Sequence, residues 1–350
     1  MTPDLIFIIS LAVILGGLYA WGFRCLGNER WQFIGTIPTA KQSDGRWRGV
    51  NLTYYGMFNA NACLLAVLMV YILLAAVGIG LPVIHTLIAV TLLFCVPAAK
   101  LVARWVEKKA HTFSIGGAAF VGLVLTPWIM AGLNRCLIWR GMTPMPVLQG
   151  LAAIAIAYAL GEGSGRLACI SFGCCYGRPI DQFPAAARGW LAPLSMVFRG
   201  DTKKIAFADR LHECPVLAVQ AITAVFYTAV GLIGVMLFLR GHARGAYLLA
   251  VAGTQAWRFI SEFVRADYRG GGRISAYQIM ALAAIPYAVG ICLLFDFPSM
   301  KPDLSMGLRL LWSPGIILAC QLLWIGIFLF MGRSQVTGAR ISFHVRKDRI

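Results

Sequence analysis

Of the chain's 350 residues, 59% are hydrophobic and only 13% charged, against roughly a quarter charged in an ordinary soluble domain. That balance excludes a soluble enzyme and implies an integral membrane protein. The formal net charge of +17 would suggest nucleic acid in a soluble chain. Here the basic residues flank apolar runs, where they set topology and attract anionic headgroups, so no nucleic-acid partner is expected.

Apolar segments of spanning length fall near 5–22, 58–79, 82–103, 115–134, 147–168, 215–238, 246–264, 276–295 and 311–331. The expected fold is all-α, a polytopic integral membrane helix bundle of about nine transmembrane helices. Asp4 precedes the first segment, with no basic start or cleavage site, so it reads as a true span. The longest polar connection, 178–214, is expected to form a small extramembrane cap. Shorter ones lie at 23–50, with Arg24, Arg30, Lys41, Arg46 and Arg48, and at 332–350.

At the mouth of the second helix, Thr53-Tyr54-Tyr55-Gly56-Met57 reads as an interfacial aromatic pair beside a small residue. His85 stands alone on an apolar stretch and reads as a core histidine. Gly116 and Gly117 open the fourth helix. Free amides there suit a phosphate or carboxylate, while close helix packing explains two glycines equally well and is the safer reading.

The fifth segment ends in Gly161-Glu162-Gly163-Ser164-Gly165-Arg166 and runs on to Pro179, with Gly173 and Gly177 in between. Ionisable residues at membrane depth are costly unless they face a wet or protein-lined interior, so Glu162 and Arg166 mark the floor of a polar pocket. Cys169, Cys174, Cys175 and Cys214 cluster around this stretch with His212 nearby. Their spacing matches no usual structural zinc pattern, so packing is the expectation and no metal or cofactor is expected. In the seventh segment, Arg258, Glu262 and Arg265 stand at i, i+4 and i+7, on one face of a helix. Two intramembrane arginines, each with a carboxylate four residues away, suggest a site for an anionic group, since the guanidinium fork suits phosphate oxygens.

Together these residues resemble the prolipoprotein diacylglyceryl transferase family. Gly165-Arg166 through Gly177-Arg178 is similar to its run of Gly-Arg, an apolar stretch, Gly, and a closing Gly-Arg. Arg258-Phe259-Ile260-Ser261-Glu262-Phe263-Val264-Arg265 resembles its Arg-Phe-x-x-Glu-Phe-x-Arg. Tyr55-Gly56, Gly116-Gly117 and Ser275-Ala276-Tyr277-Gln278-Ile279 add support.

The resemblance implies a core over 51–297. To it are added an N-terminal helix and basic loop (1–50) and a C-terminal helix and basic tail (298–350). It also implies an enzyme of the bacterial inner membrane that moves the diacylglyceryl group of phosphatidylglycerol to a prolipoprotein's lipobox cysteine. In that reaction Arg166 and Arg258 would bind the phosphate, Glu262 would orient Arg258, and His111 is the candidate base. Tyr55, Gly116, Gly117, Glu162, Cys169, Gly173, Gly177 and Arg265 would line the pocket.

The chain also departs from the family pattern. Ile115 stands where the family has a histidine, Cys169 where it has asparagine, and Cys174 where it has an acid. A different acceptor, or lipid binding without transfer, therefore stays open. Connections that would share a face with 178–214 hold 23 of the lysines and arginines, against 6 on the other side. The positive-inside rule would turn that basic face inward, whereas the resemblance implies outward.

Overall fold

The computed structural model describes residues 2–107, 115–266, 274–295 and 300–350. Apolar runs become helices because, in hydrocarbon, backbone N–H and C=O groups find partners only within their own segment. In chain order these are α1 (Pro3–Cys25), α2 (Tyr54–Ala76), α3 (Leu81–Val102), α4 (Ile115–Trp139) and α5 (Val147–Phe172). Two short helices, α6 (Ala185–Leu191) and α7 (Lys204–Asp209), belong to the polar cap. After them come α8 (Val219–Leu239), α9 (Ala243–Ser261), α10 (Ala276–Leu294), the short α11 (Leu304–Leu310) and α12 (Pro314–Met331).

Among the described residues, eight helices are long and apolar enough to cross a membrane. The expected ninth, at 246–264, is α9. It is a helix, but it is too polar to count with the others, and it ends at Ser261, short of Glu262. Packing makes it part of the bundle, since α5, α8 and α10 all lie against it.

The hub is α5, which buries most of its length against α2, α8 and α9. No hydrophobic effect draws helices together in lipid, so close van der Waals approach through small residues does that work. Gly161 sits against Ala62 and Ala66 of α2, and Leu160 fills the notch at Gly231 of α8. Successive long helices alternate in direction. Contacts between Tyr55 and Phe172, Gly117 and Val102, Gly56 and Gly332, and Gly22 and Leu167 gather one set of helix ends on one face.

That face carries structure absent from the sequence expectation. The connection 23–50 and the tail 332–350, read above as basic loops, contribute a three-stranded antiparallel sheet whose middle strand is the second in the chain. Its strands are β1 (Phe33–Lys41), β2 (Trp47–Thr53) and β5 (Arg333–Ile341). The register sets Thr36 opposite Asn51 and Arg48 opposite Arg340. The cap adds the two-residue strands β3 (Ser195–Met196) and β4 (Val216–Leu217).

One buried lysine fastens the cap. Lys203 has no exposed surface, and its Nζ donates to Leu26 O at 3.2 Å and Ser171 O at 2.7 Å, the carbonyls that finish α1 and α5. Burial lowers its pKa from 10.5 to about 8, with Glu29 opposing the shift. Between those values the unfolded chain still holds the proton that the folded chain has released. Stability therefore rises with pH across that window, by at most about 1.4 kcal/mol per pH unit. Lys203→Met is expected to lower stability through the two lost hydrogen bonds and to flatten this slope. Thermal unfolding in detergent across the window measures both, and an unchanged slope would assign it to another group.

Candidate active site

The site begins with a stripe on α5. Tyr158, Glu162 and Arg166 are four residues apart, and that spacing stacks side chains on one helix face. Glu162 and Arg166 form an ion pair while only 8% and 13% exposed, respectively, which holds the guanidinium in one orientation. Among the described residues, Arg166 Nε is buried without a hydrogen-bond partner, and the buried Tyr158 hydroxyl has Arg258 as its hydrogen-bonding neighbour. Buried polar atoms are rarely left unsatisfied, so an unpaired N–H on a buried cation calls for a ligand. The Tyr158 hydroxyl is within electrostatic range of Glu162, Arg258 and Arg166, which makes it the meeting point of the two arginines.

Arg258 reaches this point from the last turn of α9. Its Cζ lies 5.3 Å from the centroid of the Tyr277 ring on α10, a cation–π contact that fixes the side chain. The guanidinium passes against Gly116 so closely that a Cβ there would overlap it. Of the two readings left open for the glycine pair, Gly117 follows packing, since it abuts Val102 of α3. Gly116 serves a third purpose, which is to clear the path for Arg258.

The expected single face of Arg258, Glu262 and Arg265 is not formed, because the helix stops first. Arg265 lies beyond it in a β-bridge with Gly177, and Arg178 N donates to Val264 O at 2.9 Å. Among the described residues, Glu262 therefore pairs with Arg265 (3.8 Å) and accepts from Ser275 Oγ (3.3 Å), instead of holding Arg258. Ser275 and Gln278 form a capping box at the start of α10, and Gln278 Nε2 also donates to Phe259 O at 3.1 Å. Those bonds dock α10, and with it Tyr277, onto the end of α9. Arg265 is within electrostatic range of Arg166, so both charged pairs belong to one region.

Gly173 closes α5 in the left-handed conformation at φ 72°, where a side chain would be strained. Cys174 N then donates to Cys169 O at 3.0 Å, folding the following residues back. The Sγ atoms of Cys169, Cys174 and Cys175 all come within 4.8 Å of one another. Tyr55, at the start of α2, packs its ring at a tilt against Phe172, centroids 5.5 Å apart, and is within electrostatic range of all three cysteines. Cys214 and His212 do not join that group, contrary to the sequence grouping. His212 Nε2 accepts from Gly200 N at 3.3 Å within the cap. His111 lies outside the described residues.

An apolar cavity of about 330 Å³ shares Tyr158 with this region and is walled by Val67, Val70, Leu87 and Ile154, with Thr254 and Gln255 also lining it. A largely buried Arg166 and a half-buried Arg258 near a greasy cavity suit an amphiphile with an anionic head. The sequence reading missed Tyr158, although its four-residue spacing from Glu162 was available. Ser275 and Tyr277 stood in the stretch 275–279 that supported the resemblance, but their roles depend on how α10 docks.

Residues 46–295 match the prolipoprotein diacylglyceryl transferase family, while no curated protein matches the chain. That match covers well over half of the 350 residues, and six of the eight long apolar helices lie within it. This multi-pass membrane protein is therefore a transferase and belongs to the prolipoprotein diacylglyceryl transferase family.

Proposed function

We propose that the chain transfers the diacylglyceryl group of phosphatidylglycerol to the lipobox cysteine thiol of a prolipoprotein in the bacterial inner membrane, releasing glycerol phosphate. The observation that carries this reading is the convergence of Arg166 and Arg258 on Tyr158, which lines an apolar cavity, with Arg166 Nε left unpaired among the described residues. The donor's acyl portion occupies the cavity, and its phosphate accepts from Arg166 Nε, Arg258 and the Tyr158 hydroxyl. A sulfur atom attacks the glyceryl carbon, the C–O bond to phosphate breaks, and the electron pair leaves on the phosphate oxygen. Fixed guanidiniums in a water-poor pocket stabilise that developing charge without reorganising.

Glu162 holds Arg166 in place. Glu262 and Arg265, through Ser275 and Gly177, keep the ends of α9 and α10 docked so that Arg258 stays in line. Tyr55, Cys169, Gly173 and Gly177 shape the acceptor side. The core that does this is 51–297, with the helices of 1–50 and 298–350 added around it.

The test is an assay with purified protein, phosphatidylglycerol micelles and a lipobox-cysteine peptide, with mass spectrometry of peptide and lipid. The expected result is a peptide carrying the diacylglyceryl group and one glycerol phosphate released per peptide. Lipid consumed without peptide modification would redirect the reading to another acceptor. Both substrates left intact by folded protein would overturn it.

A further inference from the structure

A sulfur nucleophile must be a thiolate, yet among the described residues no histidine stands beside the arginines. His85 packs on Tyr71, His212 serves Gly200, His242 precedes α9 and His344 lies in the exposed tail. Glu162 is held by Arg166, and Glu262 faces Arg265 at 3.8 Å and accepts from Ser275 Oγ, its Oε1 making no hydrogen bond among the described residues. What does lie near Arg166 is a group of three thiols. The Sγ atoms of Cys169, half-buried, Cys174, buried, and Cys175, half-buried, lie within 4.8 Å of one another.

The backbone holds them there. Gly173 and Cys175 both take left-handed conformations, at φ 72° and 61°, and Cys175 does so without glycine's freedom. Gln220 Nε2 of α8 pins the turn by donating to Cys174 O at 2.7 Å. Zinc binds thiolate sulfur at about 2.3 Å, which in a tetrahedron sets sulfurs roughly 3.8 Å apart, within reach of this cluster by small side-chain rotations. Three thiolates around a divalent ion carry one net negative charge. The guanidinium of Arg166, within electrostatic range of Cys169 and Cys175, offsets it. The third ligand is supplied by the fold, and so the sequence spacing matched no zinc pattern.

Resting on the transfer reading above, we infer that Cys169, Cys174 and Cys175 bind one zinc ion whose open fourth position takes the acceptor cysteine and holds it as thiolate. Coordination releases the thiol proton to water. The sulfur forms its bond to the glyceryl carbon as the C–O bond breaks, and glycerol phosphate departs with the electron pair. The thioether product is neutral and a weak ligand, so it vacates the fourth position. No oxidant or reductant is involved.

The experiment is zinc X-ray absorption on the full chain, purified in detergent and loaded with zinc alone, with metal content measured in parallel. The expected result is one zinc per chain with three sulfur neighbours and one light atom. The light atom is replaced by a fourth sulfur when a lipobox-cysteine peptide is added, but not when its serine counterpart is. Cys169→Ser and Cys175→Ser are each expected to weaken zinc binding by at least about 100-fold. Because the spectroscopy uses the unaltered chain, it stands even where a variant fails to fold.

Zinc absent at one per chain, or a three-sulfur site indifferent to the cysteine peptide, would overturn the inference. Undiminished transfer by chelator-treated protein would sink it and leave the transfer reading standing. A zinc site that takes up the peptide sulfur without any consumption of phosphatidylglycerol would uphold the site and defeat the transfer reading.

Discussion

Arg166→Lys is expected to cut diacylglyceryl transfer about 100-fold, and Arg166→Ala about 1,000-fold, the loss typical when one preorganised donor to a developing negative charge is removed. Lysine keeps the charge and the partner Glu162 but gives up the planar fork and Nε, the atom left without a partner in the pocket. Alanine also strands Glu162 in a buried setting, and breaking such a pair costs about 3–5 kcal/mol. The alanine variant should therefore melt earlier as well as work more slowly. Adding Glu162→Gln to it removes the stranded charge, so stability should recover while transfer stays lost. The transfer assay and thermal unfolding together separate the two effects. Full activity in Arg166→Ala would show that the phosphate is held elsewhere.

Gly116→Ala should lower transfer by about 100-fold, a large effect for one methyl group. In an open helical position the same exchange is worth up to about 1 kcal/mol of added stability. At Gly116 the new Cβ overlaps the Arg258 guanidinium, which must leave its place over Tyr277 and shift relative to Tyr158. A displacement on the order of 1 Å at a reacting group costs about 100-fold in rate. Gly132→Ala on the same helix is the control, because nothing lies within 4 Å of a Cβ there. It should keep full activity and gain slightly in stability. If the two variants behave alike in the transfer assay, Arg258 does not run past Gly116 in the working enzyme.

By itself the sequence determined the class of the protein, nearly all of its long helices, and the Arg166–Glu162 pair. It also contained Tyr158, legible as the third member of a four-residue stripe. These are local properties. A helix in lipid satisfies its own backbone, so composition over about 20 residues suffices to write it, and side chains four apart meet whatever surrounds them. The tertiary structure decided the rest. Trp47–Thr53 pairs with Arg333–Ile341 across almost the whole chain, and no periodicity in either strand announces its partner. Glu262 turned to Arg265 and Ser275 because α9 ended at Ser261 and the bridge at Gly177 drew the following residues aside. Arg258 met Gly116 and Tyr277 only through the docking of α10 against α9 and of α4 against α10. The three thiols closed into one group because Gly173 reversed the chain and Gln220, from another helix, held the turn. Contacts of this kind depend on which surfaces fit one another at close range, and that fit is a property of the assembled bundle.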